Sequence, residues 1–117
     1  MALNQFSRTQ LLLGQESMDL LANATVAVFG IGGVGGYTVE ALARSGVGHF
    51  VLVDDDKVCL TNINRQIIAT RSSVGKYKVD VMKERILDIN PKAEVEVYKC
   101  FYLPENCLLY TSDAADD

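Results

Sequence analysis

The chain has 117 residues, of which 49% are hydrophobic and 22% are charged, a balance that fits one globular domain with a buried core. Its formal net charge of −4 gives no indication of a broad basic surface for nucleic acid. No apolar run reaches the roughly 18 residues that span a bilayer, and the N-terminus lacks the basic start and apolar centre of a secretion signal. We therefore expect a cytoplasmic protein without a membrane segment.

The first predicted elements are short helices and a strand. Leucine and methionine side chains over residues 10–22 predict one or two helices that break near Gly14, with Ser17 as a candidate N-cap. Residues 25–29 form a continuous apolar run that is followed by a glycine. Such a run is typical of a central parallel strand that is covered on both faces.

A glycine-rich turn follows this strand and opens the next helix. Gly30, Gly32 and Gly35 fit G-x-G-x-x-G, in which the first glycine allows a tight turn, the second lets the backbone approach phosphate and the third lets the helix pack on the strand. The helix, predicted over residues 34–45, ends before Gly46 in a C′ position and directs its first N–H groups toward an anion. Because the motif lies between a strand and a helix, it predicts a nucleotide-binding site.

Acidic residues end the second predicted strand, which is buried and covers residues 49–54. Asp54 lies at its carboxyl end, where a carboxylate accepts hydrogen bonds from the ribose hydroxyl groups of a nucleotide. Asp56 follows on the same side of the strand. Alternatively, Asp55 and Asp56 are solvated loop acids or a helix N-cap.

A polar block, comprising Asn62, Asn64, Arg65 and Gln66, looks buried because its neighbours are apolar. Arginine is a bidentate partner for phosphate oxygens, and amide side chains are neutral donors. Lys78, near the start of the next helix, adds a second positive charge. A dehydrogenase needs no such group beside its nicotinamide, so the block favours ATP that is attacked at its α-phosphate. The alternatives are an Asn-rich turn with a surface Arg65, and a solvated Lys78.

The rest of the chain predicts a helix over residues 76–90, closed by Pro91, and a third strand over residues 93–98. The alternation of strands and helices predicts an α/β fold with a Rossmann-like, doubly wound and mainly parallel sheet. The three cysteines have no CxxC or metal-ligand spacing, so we expect Cys59 and Cys100 to be buried or half-buried free thiols.

The C-terminal residues do not continue the apolar periodicity that precedes them. Residues 107–117 resemble a translated transposon-type sequencing adapter. We therefore expect the native part of an ATP-binding domain over residues 1–106 and a non-native tail over residues 107–117. The alternative is a genuine, disordered acidic C-terminus.

Taken together, these motifs resemble the E1-like adenylating superfamily, which includes the ThiF and molybdopterin-synthase adenylyltransferases. Within it, residues 56–67 are most similar to the tRNA threonylcarbamoyladenosine dehydratases, and residues 6–9, 89–91 and 103–106 match the same branch. The resemblance covers residues 4–106, which correspond to the N-terminal half of a family member.

The resemblance implies a role for each matching residue. Gly33 lies against the nucleotide, and Asp54 holds the ribose. The segment from Thr61 to Arg65 lines the triphosphate, with Arg65 on the phosphate oxygens. Lys78 neutralises charge at the reacting phosphate.

The resemblance also implies partners and a metal ion. In the implied homodimer, Arg8 reaches from one subunit into the ATP site of its mate, and a solvated Arg8 is the alternative. The other implied partners are a tRNA that carries threonylcarbamoyladenosine and a sulfur-relay protein. ATP would be bound with Mg²⁺, whose acidic ligand, like the loop that meets the second substrate, is expected in a C-terminal half beyond this chain. We therefore expect no metal-binding residue in the chain.

The implied reaction is adenylation of the threonylcarbamoyl carboxylate by ATP with release of pyrophosphate. Attack by the amide of the same group then expels AMP and closes a ring, for a net loss of water. We expect this chain alone to bind ATP weakly and not to turn over. The alternatives are adenylation of the C-terminal glycine of a ubiquitin-like sulfur-carrier protein, an NAD-dependent dehydrogenase, and a non-catalytic interaction module.

Overall fold

The computed structural model describes residues 4–100, which contain four α-helices, one 3₁₀ helix and three strands. The predicted tail over residues 107–117 and the family match at residues 103–106 lie outside the described residues. Within the described part, no helix is both long enough and apolar enough to cross a membrane.

Two short helices precede the sheet. α1 (Ser7–Leu13) and α2 (Gln15–Asn23) are separated by Gly14, whose φ of 87° lies in a region that side chains rarely adopt. The predicted break at Gly14 is therefore confirmed. The predicted N-cap at Ser17 is wrong, because Gly14 is the N-cap and Ser17 lies inside α2.

Three parallel strands form one sheet in the order β1-β2-β3. The elements follow one another as β1 (Thr25–Phe29), α3 (Gly33–Ser45), β2 (His49–Val53), a 3₁₀ helix (Leu60–Asn64), α4 (Lys78–Ile89) and β3 (Glu94–Tyr98). Parallel neighbours require crossover connections, which here are helical. The predicted Rossmann-like α/β fold is confirmed.

The central strand of the described sheet is β2. It pairs with a strand on each side, whereas β1 pairs with β2 alone among the described residues. The side chains of β1 are exposed or half-buried. The prediction that β1 is central and covered on both faces is therefore wrong for this part of the chain, because an apolar run does not reveal which strands pair beside it.

One apolar cluster joins α3 and α4 to the sheet. Its fully buried members include residues of both helices and of β2: Val39, Ala43, Phe50, Leu52, Val79, Met82 and Ile86. Burial of each large side chain of this kind contributes about 1.5–3 kcal/mol. Because the cluster anchors both helices to the same sheet, it also fixes where their N-termini lie.

The ends of α3 and α4 follow their local signals closely. α3 ends before Gly46, whose φ of 111° confirms the predicted C′ glycine. α4 ends at Ile89, before the predicted stop at Pro91. It begins later than predicted, because Tyr77 stays extended and pairs in an antiparallel bridge with Lys57. Lys78 is therefore the first residue of the helix.

Candidate functional site

The glycine-rich loop closes tightly against the strands. Gly30 has a φ of 93°, and its N–H donates to the carbonyl oxygen of Val53 at 2.8 Å. A Cβ atom on Gly35 would collide with the carbonyl oxygen of Gly30. A Cβ atom on Gly33 would meet nothing within 4 Å. Gly30 and Gly35 are thus required by the fold, as their motif positions predict, whereas Gly33 leaves open space at the start of α3.

Gly32 faces two donor side chains from elsewhere in the chain. A Cβ atom at this position would lie 3.4 Å from Nε2 of Gln66 and 3.9 Å from Nζ of Lys78. The loop, the segment after the 3₁₀ helix and the start of α4 therefore converge. An amide N–H₂, an ammonium group and the N-terminus of α3 all favour a bound anion.

Lys78 is a buried cation. Only 7% of the residue is exposed, and its Nζ lies 3.9 Å from Oδ2 of Asp56. Its backbone N–H donates to the carbonyl oxygen of Asp56 at 3.0 Å. A positive charge is unfavourable at a helix N-terminus and in a buried place, so one carboxylate at this distance compensates it only in part. The alternative of a solvated Lys78 is wrong.

Asp54 fastens the glycine loop to the end of β2. Its Oδ2 accepts a hydrogen bond from the N–H of Ile31 at 2.7 Å, and its Oδ1 accepts one from the N–H of Asp56 at 2.8 Å. Sequence reasoning missed this role. The signal that could have found it is topological, because the ends of parallel strands meet at one sheet edge and bring Asp54 beside the loop after β1.

The polar block is mostly on the surface. Asn62 is 7% exposed, and its Oδ1 accepts a hydrogen bond from the N–H of Cys59 at 2.8 Å, which caps the 3₁₀ helix. Thr61, Asn64 and Arg65 are exposed. The expectation of a buried block is therefore wrong for Asn64 and Arg65, whereas Asn62 is buried and Gln66 is half-buried. That expectation was based on apolar neighbours, but two of them, Leu60 and Ile63, are themselves exposed.

Arg65 is held over the 3₁₀ helix. Its Nη1 donates to the carbonyl oxygen of Thr61 at 3.1 Å and to Oδ1 of Asn64 at 3.2 Å. The exposed guanidinium keeps further N–H donors for a ligand. Beside it, Gln66 is half-buried, and its Oε1 is a buried acceptor without a hydrogen-bond partner among the described residues. A ligand with a hydroxyl or amino donor would satisfy that atom.

Three consecutive carboxylates, those of Asp54, Asp55 and Asp56, have oxygens within 4.8 Å of one another. Burial and the charges of Asp56 and Asp54 raise the pKa of Asp55 above its usual value. Both oxygens of Asp54 already accept backbone N–H groups, and Lys78 lies beside Asp56. These residues do not fit a dedicated Mg²⁺ site, which needs several free carboxylate or water oxygens in octahedral arrangement.

Two expected features lie apart from this constellation. Arg8 is an exposed residue of α1 and makes no hydrogen bond or ion pair with the other site residues in the part of the chain described here. Cys59 is exposed, so its expected burial is wrong, because it lies at the surface end of the 3₁₀ helix; Cys100 is half-buried as expected. Both cysteines are free thiols.

Comparisons with known proteins point to one family. The model of the ThiF family matches residues 6–114. The tRNA threonylcarbamoyladenosine dehydratase of Bacillus subtilis is 53% identical over an alignment of 121 positions, which covers 97% of this chain and 48% of that protein. The sulfur carrier protein adenylyltransferase of Thermus thermophilus is 34% identical over 108 residues, which are 91% of this chain and 40% of that protein.

A similar solved structure is that of the Escherichia coli tRNA N6-threonylcarbamoyladenosine dehydratase in complex with ATP. It has a TM-score of 0.86 and 47% sequence identity, covering 94% of this chain and 45% of that one. The chain thus spans about half the length of the relatives that it matches.

Proposed function

The chain belongs to the ThiF family, and from this premise we propose that it forms the ATP-binding part of an enzyme that adenylates a carboxylate. The observation that carries the proposal is the convergence of Gln66 and Lys78 on Gly32. Two donors and a helix N-terminus meet where the backbone carries no side chain, which suits a phosphate group.

In this proposal, separate groups of the chain bind the phosphates and the ribose of ATP. The open space at Gly33 admits phosphate next to the first N–H groups of α3, and Lys78 stabilises charge at the α-phosphate. Arg65 binds the outer phosphates, with Thr61 and Asn62 to Asn64 along the same segment. Asp54 accepts hydrogen bonds from the ribose through the lone pairs that its two backbone contacts leave.

The proposed substrate is the threonylcarbamoyl carboxylate on an adenosine of tRNA. The higher identity to the tRNA dehydratases than to the sulfur carrier adenylyltransferase supports this choice. The carboxylate attacks the α-phosphate and pyrophosphate leaves; the amide of the same group then attacks the acyl carbon, and AMP leaves as the ring closes. Such a tRNA reaction belongs in the cytoplasm.

We assign turnover to the complete protein rather than to this chain. The relatives are about twice as long as this chain. We assign the positioning of the second substrate to the part of that length that this chain does not cover. None of the roles proposed for Asp54 to Asp56 involves Mg²⁺.

A homodimer is the proposed assembly. Leu11, Leu12 and Leu20 are 83%, 85% and 70% exposed on α1 and α2, which is unusual for a protein that acts alone. Contact between these leucines and a second copy would remove them from water. It would also bring Arg8, which lies on the same helix, toward the site of the other subunit.

Equilibrium binding of ATP and adenosine to this chain tests the phosphate site. We expect Lys78→Gln and Arg65→Gln each to weaken ATP by about tenfold or more, the value of a lost charge-assisted hydrogen bond, with adenosine affinity unchanged. Lys92→Gln removes an exposed lysine at the other end of α4 and serves as the matched control. ATP affinity that survives both site variants would favour a non-catalytic module.

Pyrophosphate exchange by the complete protein identifies the carboxylate. Exchange that depends on tRNA carrying threonylcarbamoyladenosine is the expected result. Exchange driven instead by a sulfur-carrier protein would establish adenylation of that protein. Tight binding of NADH without binding of ATP would favour an NAD-dependent dehydrogenase.

A further inference from the structure

One buried carboxylate joins α3 to α4. Glu40 of α3 is 7% exposed, and its Oε1 accepts a hydrogen bond from Nε of Arg85 in α4 at 2.5 Å. Its Oε2 accepts from Nη2 of Arg85 at 3.3 Å and from Nε of Arg44 at 2.8 Å. Arg85 thus makes a bidentate contact between helices, whereas Arg44 bonds Glu40 within its own helix.

The contact lies at the same depth along both helices. Glu40 comes seven residues after Gly33, the start of α3, and Arg85 comes seven residues after Lys78, the start of α4. At a rise of about 1.5 Å per residue, the ion pair lies roughly 10 Å from each helix start. Since Nζ of Lys78 also lies close to Gly32, just before the start of α3, the two helices begin near each other and are joined by the ion pair further along.

Apolar contacts between two helices specify their register less sharply than a directional contact does. The buried apolar side chains that the two helices contribute to the core are aliphatic or methionine, and they include Val39, Ala43, Val79 and Met82. Aliphatic surfaces are non-directional, whereas a bidentate ion pair has one geometry. A buried ion pair is, moreover, weak evidence for stability, because an apolar pair of similar volume is often as stable; its better-attested role is to specify register.

We propose that the ion pair between Glu40 and Arg85 is a positioning device that fixes the register of α4 and thereby holds the ammonium group of Lys78 at the phosphates of ATP. This inference rests on the proposed function. Neither residue touches the ligand; both act through the start of α4. Loss of the pair leaves adenosine binding intact and weakens only the contacts that Lys78 makes.

The first test compares ligands in variants of this chain. We expect the double variant Glu40→Met with Arg85→Met to fold and to bind ATP about tenfold more weakly, with adenosine affinity within about twofold of the parent. Arg85→Lys keeps the positive charge but cannot make the bidentate contact, so its ATP affinity should fall between those of the parent and of the double variant. Arg44→Gln removes the partner that does not bridge the helices, so it is the matched control and should behave as the parent.

The second test does not depend on ATP. Lys78 has a side chain only 9% exposed, so it should react slowly with an amine-acylating reagent, while the exposed Lys92 reacts quickly. If the ion pair positions α4, the double methionine variant should raise the acylation rate of Lys78 severalfold relative to Lys92, as read by mass spectrometry. Denaturant titration of the same sample reports whether the fold as a whole has loosened.

The outcomes separate the two ideas. Unchanged ATP affinity and unchanged Lys78 labelling in the double methionine variant would overturn the positioning role. An equal loss for ATP and adenosine would overturn it too, because it indicates general destabilisation. If Lys78→Gln itself leaves ATP affinity unchanged, the proposed phosphate site fails, and with it the role given to the pair. If Lys78→Gln weakens ATP and the methionine variant does not, only the positioning role fails.

Discussion

The carboxylate of Asp54 and the backbone N–H of Ile31 form a 2.7 Å hydrogen bond that joins the end of β2 to the glycine-rich loop. The side chain of Ile31 is fully buried in the core on the other side of that peptide. The loop is therefore held both by apolar packing and by a charge-assisted hydrogen bond. A residue that the sequence predicts to bind ribose is thus a structural support of the glycine-rich loop.

Replacement of Asp54 should therefore cost stability as well as binding. Asp54→Asn leaves one oxygen for two backbone N–H groups and removes the charge, so we expect the free energy of unfolding to fall by about 1–3 kcal/mol. Urea denaturation measures it. Asp55→Asn is the adjacent control, and it should be neutral or slightly stabilising because it removes a carboxylate whose pKa is raised by burial and by the charges of Asp56 and Asp54. Equal stability of Asp54→Asn and the parent would contradict the structural role.

Substitution of two glycines in the loop should distinguish an effect on folding from an effect on ATP binding. Gly35→Ala places a methyl group against the carbonyl oxygen of Gly30, so we expect a loss of several kcal/mol or failure to fold. Gly33→Ala meets nothing in the chain and lies at the first helical position, so stability should stay within about 1 kcal/mol of the parent. Its methyl group should nevertheless weaken ATP binding. A Gly33→Ala variant that binds ATP normally would remove Gly33 from the site.

The contribution of Glu40 to stability should be lost in acid. Burial by itself would raise the pKa of Glu40, but the hydrogen bonds and charges of Arg85 and Arg44 outweigh it and lower the pKa below 4.5. Its contribution is therefore fully present above about pH 4.5, and it is lost as the pH falls through the lowered pKa of the folded state. Unfolding free energies of the parent and of Glu40→Gln, measured between neutral and acid pH, should converge in acid. A constant difference would refute the assignment.

The exposed leucines of α1 predict an oligomerisation defect without a folding defect. Leu11 and Leu12 are more than 80% exposed, so Leu11→Ser with Leu12→Ser should not change the unfolding free energy of the monomer appreciably. The double variant should dissociate at concentrations where the parent is a dimer, as measured by sedimentation. Leu60→Ser, at a 66% exposed leucine on the 3₁₀ helix, is the comparison. A parent chain that is monomeric at all accessible concentrations would rule out self-association through this surface.

Several features could be predicted from the sequence because they depend on local chemistry. A break at Gly14, a C′ position at Gly46 and close packing at Gly35 all follow from backbone conformations or approaches that only glycine permits. Apolar runs predicted β1 and β2, and the alternation of apolar and polar residues predicted β3. The order of these elements was enough to indicate a nucleotide at the start of α3.

The remaining features depend on groups that meet only after folding. The ion pair of Glu40 with Arg85 spans 45 residues, and the contact of Asp54 with Ile31 spans 23. Exposure also depends on what packs nearby, which is why Cys59 and most of the polar block lie at the surface although their neighbours are apolar. The sequence by itself therefore determined the elements, through local backbone preferences, and predicted a nucleotide as the ligand. Only the tertiary structure decided that Lys78 is buried, that β2 is central in the described sheet, and which carboxylates support the site, because these depend on long-range packing and desolvation.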